Sequence, residues 1–141
     1  MRKEKAKKIK KAVCGLAVAG ILGLNVYTVS GAASAISYSY TLGSGSTYAN
    51  TAGTTKNDAN DMVIHCATST VSGGYFNATS QYFDNDWYNT DYDTVYCGNK
   101  TYSFSASAAK SHKARFHLEK AMSSTSVFTG KWATTDTVSV Y

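Results

Sequence analysis

The stretch that decides the fold is Lys113–Lys120, KARFHLEK. Ala114, Phe116 and Leu118 alternate with Lys113, Arg115, His117 and Glu119, so an extended chain sends one set into a core and the other into water. A helix would scatter the same residues around its axis. The period of two predicts a strand over 113–120, and Ile36–Leu42 repeats it, with Ile36, Tyr38, Tyr40 and Leu42 alternating with Ser37, Ser39 and Thr41.

Between these two segments the same reading gives further strands. Residues 62–70 predict one with Met62, Ile64 and Cys66 on one face and Val63, His65 and Ala67 on the other. Ser72, Gly73 and Gly74 then form a hairpin turn signal, and Tyr75–Phe83 reads as the return strand with Phe76, Ala78 and Tyr82 on one side. Residues 94–97 and 101–105 flank a turn-like break at Cys97, Gly98 and Asn99. Residues 106–112, ASAAKSH, have the helical character of a short crossover. Val127, Phe128, Trp132 and Ala133 belong to a later strand in which Gly130 marks a bulge, and Val138 and Val140 add an edge strand. Residues 43–60, rich in Gly, Ser, Thr and Asn, read as a mobile connection too polar for a core.

Six to eight short strands in about 100 residues predict an all-β chain, a small antiparallel immunoglobulin-like β-sandwich, with a barrel as the alternative. Tyr, Phe, Trp, Val and Thr favour such a half-buried pleated surface. The chain has no proline, so its turns fall to Gly, Asn, Asp and Ser.

The N-terminus is of a different kind. Seven basic residues and one acid in positions 1–11 precede an apolar run over 12–29 and a small-residue segment, SGAASA, at 30–35. That order is the pattern of a cleaved secretory signal peptide over residues 1–35, cut after Ala35, with an uncleaved membrane anchor as the alternative. The domain then spans 36–141, secreted and extracellular, and touches a membrane only through the transient leader. The whole chain has a formal charge of +5, but its first 35 residues contribute +6, leaving seven bases against eight acids and a net −1. The electrostatic case for a nucleic-acid partner goes with the leader.

Removing the leader also removes Cys14 and leaves Cys66 and Cys97, which predict a disulfide in an oxidising exterior. Closing a loop of about 32 residues contributes about 3 to 4 kcal/mol in the chain-entropy description. His65, His112 and His117 show no zinc-finger spacing to the pair.

The layout of leader, short strands, turn at 98–101, crossover, ARFHLEK at 114–120 and TSVFTGKWATTD at 125–136 resembles small exported β-sandwich proteins of unknown function from Gram-positive bacteria. The resemblance covers roughly residues 94–136 and brings no active-site residues with it. A weaker likeness is to lactococcin-type sandwich bacteriocins, which are also exported with cleaved leaders.

Candidate functional residues concentrate in 84–93, DNDWYNTDYD, which reads as a polar loop. Asp84, Asp86, Asp91 and Asp93 offer the oxygen ligands that calcium takes, but Tyr88 and the missing glycine break the EF-hand pattern, so a solvated turn is the expectation. Trp87, Tyr88 and Tyr92 are candidate contact aromatics for sugar rings or a protein partner; against this, Trp87 is expected to fold back over the end of the core. No nucleophile elbow, phosphate loop or metal motif is present, His117 faces outward, and oxidised cysteines are not nucleophiles, so no catalytic residue and no cofactor are expected. The expectation is a non-enzymatic secreted protein acting by surface contact at the cell envelope or with a protein partner, the partner being an unknown protein or a cell-wall polysaccharide. The alternative is an exported antimicrobial, bacteriocin-like effector.

Overall fold

The computed structural model describes residues 33–141. The leader and anchor readings therefore lie almost wholly outside the described residues.

Among the described residues, nine strands build two antiparallel sheets packed face to face, a small β-sandwich. The first sheet takes β1 (Ile36–Leu42), β9 (Ser126–Ala133), β4 (Met62–Ser69) and β7 (Thr101–Phe104), in that spatial order. The second takes β2 (Tyr48–Asn50), β8 (Lys113–Lys120), β5 (Tyr75–Phe83) and β6 (Trp87–Tyr96), with β3 (Thr54–Thr55) also paired to β8.

The alternation in KARFHLEK is realised directly. Ala114, Phe116 and Leu118 are fully buried, while Lys113, Arg115, His117 and Glu119 form the outer face of the second sheet. Phe116 lies at the centre of the core, edge-on to Trp132 at 5.7 Å and to Phe104 at 5.0 Å between ring centres. Such edge-to-face pairs set the electropositive rim of one ring against the π face of the next. Ile36, Tyr38, Leu42, Met62, Ile64, Phe76, Val95 and Phe128 are among the residues that both sheets add to the core.

Several expectations need correction. The turn at Ser72–Gly74 does not close a hairpin: β4 belongs to the first sheet and β5 to the second, so the turn is an arch between sheets, with Gly73 in a left-handed conformation. The turn signal fixes a reversal but not the partner, and β4 pairs with β7 and β9 instead. Residues 43–60 are not a loose connection. Their backbone runs along β8 through β2 and β3, with Thr51 bonding Phe116 in both directions and Lys56 N–H donating to the His112 carbonyl. Ladder pairing needs only backbone groups, so a Thr- and Asn-rich tract supplies it without an apolar stripe.

Gly130 is not a bulge. The register shift lies across from it in β4, between Cys66 and Thr68, and Gly130 is small for another reason. A Cβ there would collide with the His65 carbonyl and the Tyr38 hydroxyl, which donates to that carbonyl at 3.0 Å. Val138 and Val140 form no edge strand. Residues after Ala133 fold over the outer face of the first sheet, where Val138 and Val140 pack with Val63, Ala133 and Ala35. The crossover is a single turn of 3-10 helix at Ser107–Ala109.

Candidate functional site

The segment 84–93 is mostly strand rather than loop. Only Asp84, Asn85 and Asp86 turn the chain, Asn85 with a positive φ of 66°, and β6 starts at Trp87. Strand propensity of Trp87, Tyr88, Thr90 and Tyr92, with nine residue pairs against β5, outweighs the turn preference of Asp and Asn.

This placement separates the four aspartates and gives three of them a backbone role. Asp86, Asp91 and Asp93 each accept the N–H of the next residue, at 2.8, 2.8 and 2.7 Å. Asp91 also accepts the Ser105 N–H at 2.8 Å. Among the described residues no three His, Cys, Asp or Glu side chains gather into a group that could hold a metal. β6 is the terminal strand of its sheet. The amides of Tyr92, Thr94 and Tyr96, alternate residues along it, donate to Asp91, Asp93 and the Tyr102 hydroxyl. Charged side chains that occupy the edge amides are one way a sheet edge is closed to a further strand.

The three candidate aromatics do not share one environment. Trp87 is half-buried and lies across the outer face of the second sheet, with the Arg115 guanidinium 3.8 Å from its ring centre and Phe83 at 5.4 Å. It folds back, as expected, but onto its own sheet and not over the end of the core. Tyr88 is on the opposite side of β6, stacked with Tyr82 at 5.5 Å. Tyr92 alone stands free on the outer face, 57% exposed.

Tyr92 has neighbours that sequence reasoning missed. The register sets Tyr96 beside Tyr75, their rings 5.0 Å apart, on the same outer face. On the far side of that face Tyr48 packs against His117 at 5.5 Å. Tyr48 and Tyr96 are 59% and 53% exposed. The signal was the polar half of the alternation in β5: Tyr75, Asn77, Thr79, Gln81 and Phe83 face away from Phe76 and Ala78.

Between the rings the polar side chains bond to one another. Thr94 Oγ1 donates to Asn77 Oδ1 at 2.9 Å, Gln81 Nε2 to Asn89 Oδ1 at 2.8 Å, and Arg115 Nε to Gln81 Oε1 at 2.9 Å. His117 Nδ1 lies 2.6 Å from Asn50 Oδ1, and its Nε2 lies 3.1 Å from Glu119. Partial burial of Arg115 lowers its pKa. The three histidines are dispersed: His65 sits on the first sheet against Tyr141 and the Gly98 carbonyl, and His112 beside Tyr82.

The Cys66–Cys97 disulfide joins the interior of β4, in the first sheet, to the residue that follows β6 of the second. A groove of about 350 Å³ also opens on the first sheet, lined by His65, Gly130, Lys131, Val140 and Tyr141 among others. The tail itself supplies Val140 and Tyr141 to that groove. No family model matches the chain, and no curated protein or solved structure matches it.

Proposed function

We propose that this is a non-enzymatic exported domain that acts by surface contact at the cell envelope, through the outer face of the second sheet. The observation that carries the reading is the group of exposed rings, Tyr48, Tyr92 and Tyr96, set around a hydrogen-bonded field of amide and hydroxyl side chains. Large aromatics left in water on one face of a stable sandwich, where the core already takes the other face, are characteristic of contact surfaces. The signal-like order of residues 1–35 supports the address.

The test is retention of the purified protein on isolated envelopes by co-sedimentation. Replacing Tyr48, Tyr92 and Tyr96 together by Ala lowers retention at least tenfold while unfolding and circular dichroism stay close to the parent. Equal retention by the triple variant would overturn the assignment to this face.

A further inference from the structure

We infer that the face takes a neutral polysaccharide chain, lying along β6 and β5 across Tyr96, Tyr92 and the amides beside them; the inference rests on the contact reading above. Tyr96 and Tyr92 are four residues apart on one strand, a spacing of about 13 Å at ~3.3 Å per residue. With Tyr75 beside Tyr96 and Tyr48 across the sheet, rings are interspersed with polar groups instead of merging into one apolar patch. A protein partner of ordinary kind is met by a contiguous apolar centre with a polar rim. Interspersed rings and amides suit a ligand whose units each offer an apolar C–H face and a fringe of hydroxyls.

The polar groups are of the matching type. A side-chain amide has two N–H donors and an oxygen with two lone pairs. The bonds that Asn77, Gln81 and Asn89 make to their neighbours orient these groups and use only part of that capacity. A hydroxyl both donates and accepts, so it can bond either end of such an amide.

Charge points the same way. Arg115 is engaged by the Trp87 ring and by Gln81, and His117 by Asn50 and Glu119. Residues 36–141 have a net charge of −1. Lys113, also on this face, lies across from Phe83 at the end of β5 away from Tyr75 and Tyr96, so an anionic wall polymer lying along Tyr96 and Tyr92 would meet Asn77, Thr79 and Thr94 and not a basic cluster. Asp91 and Asp93 close the β6 edge, which disfavours a peptide adding as a further strand there.

The test measures migration of the full-length protein in affinity electrophoresis through gels containing soluble neutral polysaccharides (a glucan, a mannan, a galactan and an arabinan). Co-sedimentation with envelopes pretreated with protease provides a second arm. At least one neutral polysaccharide retards the protein, Tyr92→Ala and Tyr96→Ala each weaken that retardation about tenfold, and it changes less than twofold between 50 and 500 mM salt. Retention survives protease treatment of the envelopes. Retention abolished by that treatment, yet still dependent on Tyr92 and Tyr96, overturns the polysaccharide and leaves the contact face standing. Retention that collapses with salt assigns the ligand to an anionic polymer and also overturns it. Retardation by none of the four, with no retention on protease-treated envelopes, overturns it as well.

Discussion

The Arg115 guanidinium lies 3.8 Å over the Trp87 ring, spanning from β8 to β6 with β5 between them. A cation over an indole face at a half-exposed site contributes about 0.5 to 1 kcal/mol. A double-mutant cycle with Trp87→Leu and Arg115→Met, followed by urea unfolding, gives a coupling energy in that range. A coupling indistinguishable from zero would show that the stack does not stabilise the face.

Lys56 is fully buried, its Nζ 2.8 Å from Asp58 Oδ1 and 2.6 Å from the Thr134 carbonyl. It ties the strand-like tract beside β8 to the chain leaving β9. Lys56→Met leaves the Thr134 carbonyl without this donor and destabilises by about 1 to 3 kcal/mol. Lys56→Ala adds a cavity and costs about 3 to 5 kcal/mol. Urea midpoints for the two variants, in that order, check this.

The same pair sets an acid dependence. Burial opposes ionisation of Asp58, but hydrogen bonds from Lys56, Thr135 and the Asn60 amide, with the Lys56 charge, outweigh it and hold the carboxyl below its ordinary range. A folded pKa below the unfolded one means the contribution is present above the unfolded carboxyl pKa of ~3.9 and is lost as pH falls through the folded value. Asp58 is 39% exposed, so the amount is under about 1 kcal/mol. Asp58→Asn flattens part of the stability decline below about pH 4 in unfolding measured against pH. An unchanged acid limb would remove Asp58 from that role.

The carboxylates of Asp91 and Asp93 occupy amides at the open edge of β6. Asp93→Ala frees the Thr94 amide and removes a charge. The double variant with Asp91→Ala also loses the bond to Ser105, and it self-associates with rising concentration in light scattering while the parent does not. Asp84→Ala, in the turn, serves as the control and leaves association unchanged.

Tyr38 is buried in the core, which pushes its phenol far above the ordinary range, and it donates to the His65 carbonyl over Gly130. Tyr38→Phe strands that carbonyl and costs about 1 to 3 kcal/mol. Gly130→Ala forces the strands apart and costs as much or more through overpacking, about 1 to 3 kcal/mol. Chemical denaturation of each variant reads the result.

What was legible in the sequence was whatever period two records. Lys113–Lys120, Ile36–Leu42 and Tyr75–Phe83 appear where alternation predicts them, and their inward residues are the core or pack against it. Partnership was not legible. Ser72–Gly74 looks the same whether β4 pairs with β5 or passes it to the other sheet, because a turn constrains direction and not hydrogen bonding. For the same reason Asp91 and Asp93 read as ligands or loop: the sequence does not reveal that a neighbouring amide lies within 2.8 Å of each carboxylate. Tyr48 and Tyr96 join Tyr92 only through the register of three strand pairings, which depends on where the Ser80/Gln81 irregularity falls.

Cys66 and Cys97 enclose both β5 and β6 within one covalent ring. The exposed turn at Asp84–Asp86 is the natural point for a protease to cut between those strands. A single scission there opens the ring without releasing a piece: the two fragments stay linked through sulfur, and the strands bearing Tyr75, Tyr92 and Tyr96 remain registered. Under the proposed extracellular role, the hairpin carrying these rings would thus tolerate a nick, and lose that tolerance on reduction.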